Sequence, residues 1–76
     1  MNDERRKELD KIFSEVEDIK SRLETIASDE REYFDNMPEN LQNGERGEKA
    51  LEAADKLDEA VNACDEITSA IEDAKS

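Results

Sequence analysis

The stretch LDKIFSEVEDIKSRLETIASDEREYFDNM, residues 9–37, decides the fold. Its apolar residues recur at alternating steps of three and four, which places them on one face of an α-helix. With Leu9 at heptad position a, the rows are Leu9, Val16, Leu23, Glu30 and Met37 at a, and Ile12, Ile19, Ile26 and Tyr33 at d. A pattern this regular predicts a long helix of the coiled-coil kind.

A third row makes this apolar stripe unusually wide. Phe13, Ala27 and Phe34 occupy the e positions beside the heptad rows. One facing helix covers only part of a stripe of that width. We therefore expect helices from a second copy to cover the remainder.

The helix boundaries follow from local signals. Asn2 is a suitable N-cap, and Asp3 and Glu4 suit a first turn, so the first helix is expected over residues 3–35. Residues 36–44 hold the only proline, three asparagines and a glycine, which predicts a turn. Pro38 could also begin one short helical turn with Asn36 as its cap.

A second helix is predicted over residues 45–75. It is richer in alanine than the first, and small residues let helices approach closely. Its expected inward face is Ala50, Ala53, Ala54, Leu57, Ala60, Val61, Cys64, Ile67, Ile71 and Ala74. The fold class is therefore all-α, a single domain over residues 1–76 formed by two long antiparallel helices in a coiled-coil-like hairpin.

We expect this hairpin to self-associate, most simply as a dimer that forms a four-helix bundle. A chain of 76 residues buries little surface by itself, and small domains often need a partner. The predicted self-association stripe is Leu9, Ile12, Phe13, Val16, Ile19, Leu23, Ile26, Leu57, Val61, Cys64, Ile67 and Ile71.

The composition argues against catalysis and against a cofactor or a metal. The chain has no histidine, so the commonest general base and metal ligand is missing. Its one cysteine, Cys64, falls in the apolar stripe, where a thiol usually acts as a small hydrophobic group. Without a histidine partner it is a poor candidate nucleophile.

The charge restricts the partners. A net charge of −12 opposes binding to nucleic acid or to an anionic membrane and favours a basic protein partner, if there is one. Residues 1–9 are highly charged and do not resemble a signal peptide, and no stretch has the length of a membrane span. These features predict a cytoplasmic protein.

Acidic pairs recur every seven residues along the second helix. The predicted acidic face is Glu52, Asp58, Glu59, Asp65, Glu66, Glu72 and Asp73. One interpretation is a row of carboxylates that imitates nucleic-acid phosphates and binds a basic groove. The other is a solvated face that keeps a helical bundle dispersed in water.

The end of the hairpin at the turn is rich in aromatic and basic residues. This group is Arg31, Tyr33, Phe34, Met37, Pro38, Leu41 and Arg46. It is either a hydrophobic cap that closes the core or an exposed contact for a partner. Nearby, Gly44 and Gly47 match no phosphate-binding motif, and we expect them to ease the turn and, at Gly47, to allow the helices to approach closely.

The segment EYFDNMPENLQ, residues 32–42, followed by ERGE at residues 45–48, resembles small uncharacterised helical proteins of phages, prophages and bacterial mobile elements. The similarity extends over roughly the second half of the chain. It implies a turn signature of Tyr33, Asp35, Asn36, Pro38, Asn40, Leu41, Gln42, Arg46 and Gly47, and no activity. Gly44 departs from the serine frequent at that position.

Two functions fit these features. The first is a non-enzymatic, oligomeric protein–protein interaction module in a phage or mobile element. The second is an acidic inhibitor of a host DNA-binding or defence enzyme, a nucleic-acid mimic of the anti-restriction or anti-CRISPR type.

Overall fold

The computed structural model describes all residues 1–76 and contains only helices. They are α1 (Asp3–Asp35), α2 (Glu39–Gln42) and α3 (Glu45–Lys75). α1 and α3 pack against each other as an extended antiparallel hairpin of 58 × 15 × 12 Å. The all-α hairpin predicted from the sequence is confirmed.

The first helix begins as its sequence predicts. The side-chain oxygen of Asn2 accepts a hydrogen bond of 2.8 Å from the backbone N–H of Arg5. This bond satisfies one of the four N–H groups that have no partner inside the helix.

The turn contains the short helix α2, as the sequence suggested, but its N-cap is Pro38 and not the predicted Asn36. Pro38 occupies the N-cap position of α2 without a side-chain hydrogen bond, and its carbonyl accepts from the N–H groups of Leu41 and Gln42. Asn36 instead ends α1, where its backbone N–H donates to the carbonyl of Glu32. Pro38 begins the helical turn because its fixed φ suits that position.

Two contacts of Gln42 hold the turn together. Its side-chain amide donates to the carbonyl of Phe34 at 3.1 Å, which supplies a partner for one of the last carbonyls of α1. Its backbone packs directly against Gly47, where an added Cβ would lie 2.7 Å from the Gln42 Cα and closer still to its carbonyl. The close contact at Gly47 is therefore made to the turn, at Gln42, whereas the sequence predicted an approach between the helices.

The interface between α1 and α3, here called the seam, has a regular heptad on both helices. Its buried and half-buried residues follow steps of three and four. From α1 they are Leu9, Phe13, Val16, Lys20, Leu23, Ala27, Glu30 and Phe34, and Met37 continues the same spacing in the turn. From α3 they are Gly47, Ala50, Ala54, Leu57, Val61, Cys64, Thr68, Ile71 and Lys75.

Ala53 and Ala60, which were expected to face inward, are only half-buried at the edge of the seam, and the larger difference from the predicted inward face lies at its far end. Ile67 is 47% exposed and Ala74 is exposed, whereas Thr68 is buried in the seam. Thr68 fits there because its hydroxyl donates to the carbonyl of Asp65 at 3.1 Å, so no polar group is left unpaired. The expectation for Ile67 and Ala74 was wrong because it followed hydrophobicity at positions where the heptad spacing requires residues 68 and 75.

The hairpin leaves more surface in water than a compact chain does. Its accessible surface is 5625 Å², against about 4700 Å² for a compact monomer of 8.7 kDa. Only eight of the 76 residues are buried. The excess of roughly 900 Å² is comparable to the ~800 Å² that each partner contributes to a standard protein interface.

We expect Gly47→Ala to destabilise the hairpin. The added methyl overlaps the Gln42 backbone, and overpacking of this kind costs about 1–3 kcal/mol, partly offset by the ~1 kcal/mol gain in helix propensity. Because the contact is with backbone atoms and not with a flexible side chain, the cost lies toward the upper end of this range, and urea unfolding followed by circular dichroism, at one protein concentration, should show a net loss of about 1–2 kcal/mol.

The matched control is Gly44→Ser. Gly44 has the extended N-cap conformation, φ −99 and ψ −171, and an added Cβ would make only ordinary contacts at 3.5 and 3.6 Å. A serine can cap α3 there, so this variant should be slightly more stable than wild type. Equal stability of Gly47→Ala and wild type would contradict the close packing at Gln42.

Candidate interaction surface

One side of the seam, here called the salt-bridge side, is held by ion pairs between the helices. Arg31 of α1 donates to both carboxylate oxygens of Asp58 and lies 3.9 Å from Asp55. Lys20 pairs with Asp65 at 2.7 Å.

A third interhelix pair closes the open end of the hairpin. Lys75, in the last turn of α3, pairs with Asp10 at 2.5 Å, and its ammonium lies 6.0 Å from the centre of the Phe13 ring. A cation in the last helical turn also interacts favourably with the helix dipole. The three pairs therefore run along the hairpin from near the turn to the chain ends.

These pairs raise the pKa of each cation. The hydrogen bond to Asp65, with the attraction of that carboxylate, raises the pKa of Lys20 above its ordinary 10.5. The hydrogen bond to Asp10 raises the pKa of Lys75, and the one to Asp58 raises that of Arg31. The charged form of each cation is therefore favoured in the folded hairpin.

The opposite side of the seam carries exposed apolar residues, and we call it the apolar face. It consists of Ile12, Ile19, Ile26 and Tyr33 from α1, and Ala53, Ala60, Ile67 and Ala74 from α3. Five of the seven large apolar side chains that the hairpin exposes belong to it. Ile19, Ile26 and Tyr33 are 46%, 49% and 52% exposed.

Helical geometry places both rows on the same side. On α1, Arg31 directly follows the seam residue Glu30, whereas Ile19 directly precedes the seam residue Lys20. Because each residue turns the helix by ~100°, Arg31 and Ile19 lie on opposite sides of the seam. On α3, Asp58 follows the seam residue Leu57 and Ile67 precedes the seam residue Thr68, so these two also lie on opposite sides of the seam. Because Arg31 meets Asp58 on the salt-bridge side, Ile19 and Ile67 must share the other side.

The predicted self-association stripe therefore divides into two surfaces. One part lies in the seam within the chain: Leu9, Phe13, Val16, Leu23, Leu57, Val61, Cys64 and Ile71. The other part, Ile12, Ile19, Ile26 and Ile67, lies on the apolar face. The row at heptad position e, which begins with Phe13 and widens the stripe in the sequence, packs against α3. The row at position d, which begins with Ile12, is the one that remains exposed.

The apolar face ends at a cleft beside the turn. The cleft has a volume of about 250 Å³ and is lined by Tyr33, Asn36, Met37, Pro38, Leu41 and Arg46. Met37 is buried at its base, so the turn-end group acts partly as a core cap, while Tyr33 is exposed. Two expected members lie elsewhere, since Phe34 is in the seam and Arg31 is on the salt-bridge side.

The predicted acidic face is also divided. Asp58 and Asp65 are about half exposed, at 50% and 54%, and pair with Arg31 and Lys20 across the seam. These two carboxylates are therefore partly neutralised by α1. Glu52, Glu59, Glu66, Glu72 and Asp73 are exposed.

Three other features of the hairpin bear on a possible site: its cysteine, its acidic side chains and the length of its helices. Cys64 is a free thiol buried in the seam. No group of three or more Cys, Asp or Glu side chains could hold a metal ion. None of the three helices combines the length and the apolar character that a membrane crossing needs.

No protein-family model matches this chain, and neither a curated protein nor a solved structure matches it.

The interhelix ion pairs predict a loss of stability in alkali. Because Lys20 and Lys75 have raised pKa values in the folded state, their contribution is complete below pH 10.5 and is lost as the pH rises through the folded values. The melting temperature should therefore fall above about pH 10.5, by a modest amount because both pairs are exposed to water.

The control for this titration is the double variant Lys20→Gln and Lys75→Gln. It melts lower than wild type near neutral pH, and its curve should flatten at high pH because both titrating pairs are gone. If wild type and variant lose stability in parallel above pH 10.5, the ion pairs do not stabilise the hairpin.

Proposed function

We propose that this chain is a non-enzymatic interaction module that works as an oligomer, and that a second copy of the hairpin covers the apolar face. The observation that carries the proposal is the exposed row of Ile12, Ile19, Ile26 and Tyr33, spaced by seven residues over the length of α1. In a monomer, large apolar side chains are usually scattered singly over the surface, and a contiguous row marks an interaction site.

A second copy of the chain is the occupant that these features favour. The apolar face is as long as the hairpin, so a partner must also be long and helical to cover it. The chain itself supplies such a surface, and closed twofold dimers are the commonest assemblies of identical chains. Covering both apolar faces would bury the excess surface of both copies in a four-helix bundle.

As part of the same proposal, the resemblance of the turn supports a setting in phage or mobile-element biology for this module. The structure supports a structural role for the turn signature, because Gln42 and Gly47 make close contacts inside the turn. A partner protein would then bind on the outer surface of the turn, at the cleft near Tyr33, or at the exposed carboxylates of α3.

The principal test compares Ile19→Asp with Leu51→Asp in sedimentation equilibrium. The two residues have similar exposure in the hairpin, 46% and 41%, but Leu51 lies on the salt-bridge side. Each copy in the dimer would bury Ile19, and burying such a side chain stabilises by ~1.5–3 kcal/mol. Ile19→Asp should therefore raise the dissociation constant by about 100-fold or more.

Leu51→Asp should leave the dissociation constant within about twofold of wild type, since it changes charge and hydrophobicity equally without touching the apolar face. A wild-type chain that is a fully helical monomer at all concentrations would overturn the proposal. Equal effects of the two variants would place the interface on another surface.

Salt gives a second test. Two copies that each carry a net charge of −12 repel each other, and salt screens this repulsion over a Debye length of ~10 Å at 0.1 M. Self-association should therefore strengthen as sodium chloride is added. A dissociation constant that rises with salt would contradict an interface built on the apolar face.

The exposed carboxylates support a second candidate function, the acidic inhibitor of a basic host protein. Glu52, Glu59, Glu66 and Asp73 repeat every seven residues and are free of interhelix pairs, so they form a negative row on α3 in which only Glu59 has a basic partner, Lys56 of the same helix. Binding of a basic target through this row should weaken with salt and with charge reversal of Glu59 and Glu66. Those two substitutions should leave self-association intact.

A further inference from the structure

The ion pairs of the salt-bridge side fix the heights of residues along the two helices. Asp10 is level with Lys75, Lys20 with Asp65, and Arg31 lies between Asp55 and Asp58. Counting along the helices from these pairs gives the heights on the apolar face: Ile12 with Ala74, Ile19 with Ile67, Ile26 with Ala60, and Tyr33 with Ala53.

A further row lies at the outer edge of the apolar face on each helix. A residue three positions after a face residue lies ~60° further around the helix, away from the seam. On α1 this outer row is Glu15, Arg22 and Asp29, and on α3 it is Lys56, Ala63 and Ala70. All six residues are exposed.

Two hairpins can meet face to face about a twofold axis in only two ways. If the axis is parallel to the helices, both turns lie at the same end and α1 of each copy packs on α3 of the other. If the axis is perpendicular to the helices and lies between the two faces, the turns lie at opposite ends and α1 packs on α1, with α3 on α3. The parallel axis preserves heights, so it leaves no freedom in the register.

Side-chain size favours turns at the same end. In that arrangement, residues that are level with each other within one chain are also level between the two copies. Ile12, Ile26 and Tyr33 therefore each meet an alanine of the partner copy, and Ile19 meets Ile67 of the partner copy. In the opposite arrangement isoleucine meets isoleucine on α1 and mainly alanine meets alanine on α3. Large residues pack against small ones more closely than either like pairing does.

Charge favours the same arrangement. With the turns together, Asp29 is level with Lys56 of the partner copy, while Arg22 and Glu15 face the small side chains Ala63 and Ala70. With the turns apart, the register that sets Ile19 of one copy nearly level with Ile26 of the other places Arg22 opposite its own symmetry mate and Glu15 opposite Asp29 of the partner copy. Like charges next to each other weaken an interface, and opposite charges support it.

The one lysine that this pairing uses is free to move. Lys56 pairs with Glu59 of its own helix at 3.2 Å, but its side chain is 70% exposed. Exposed pairs of this kind contribute little, so Lys56 can turn toward a partner carboxylate without a large loss.

We propose that the two copies associate about a twofold axis parallel to their helices, with both turns at the same end of the bundle and Asp29 of each copy beside Lys56 of the other. This inference rests on the self-association proposed above. It brings the two turn-side clefts to one end of the assembly, so a partner bound there would meet two copies of Tyr33 and Arg46.

Disulfide trapping tests the arrangement. In a Cys64→Ala background, three variants are oxidised in air and run on a non-reducing gel: Arg22→Cys, Ala63→Cys and the two together. With the turns together, neither single variant forms a covalent dimer and the double variant does, because residue 22 faces residue 63 of the partner. Residues 22 and 63 of one chain lie on opposite outer edges, so no bridge forms within a chain.

The other outcomes are distinct. A covalent dimer from Arg22→Cys alone shows that the residue faces its own mate and overturns the inference in favour of opposite turns. No trapping in any variant, in samples that sediment as dimers, also overturns it while self-association survives. Monomers in sedimentation before oxidation overturn the proposed function itself.

A charge reversal in the wild-type background provides a second test that needs no added cysteine. Asp29→Lys should weaken self-association by about threefold or more relative to Glu66→Lys, which makes the same charge change on an outward row. Adding Lys56→Asp to it should restore the affinity. If Asp29→Lys instead tightens association relative to Glu66→Lys, then Asp29 faces Glu15 of the partner copy and the turns lie at opposite ends.

Discussion

α1 carries apolar side chains over more of its circumference than one neighbouring helix can cover, and the rest of the structure follows from how that excess is divided. Of its apolar rows, the hairpin buries those led by Leu9 and Phe13 and leaves the row led by Ile12 exposed. α3 does not have the bulk to reach further, because its seam is built largely from glycine, alanine and other small residues. The hairpin is therefore closed on one side and open on the other.

The rotation of α1 about its own axis is selected by several small effects that agree. Burying the Phe13 row places two phenylalanine rings in the seam. The same rotation brings Lys20 and Arg31 to the aspartates of α3. Burying the Ile12 row instead would expose those rings and break those pairs. The ion pairs contribute little individually because they are exposed to water, but they are directional and so help to define which side remains open.

The heptad made much of this fold readable from the sequence. Asn2 as a cap, Pro38 in the turn and the two long helices follow from local chemistry that tertiary packing does not override. The seam could not be read as well, because a stripe with three apolar rows admits two seams and hydrophobicity alone does not choose between them. Ile67 was placed inward for being apolar, whereas spacing gives that position to Thr68.

The candidate site was harder still to predict from the sequence. The division of the stripe into a seam and an apolar face depends on the rotation of two helices about their axes, which periodicity leaves open. Charge patterning does carry a signal in the sequence: the basic residues Lys20 and Arg31 on α1 match the acidic residues Asp65 and Asp58 on α3 in antiparallel order. Pairing them would have identified the salt-bridge side and, by elimination, the apolar face.

The account depends most directly on whether the apolar face touches another copy. An equal mixture of isotope-labelled and unlabelled chains, studied by isotope-filtered NMR, reports only contacts between copies. The account predicts contacts from the methyl groups of Ile19 and Ile26 in one copy to Ile67 and Ala60 in the other. Spectra in which the isoleucine methyls of the apolar face contact only their own chain, at concentrations well above those of sedimentation, would contradict it.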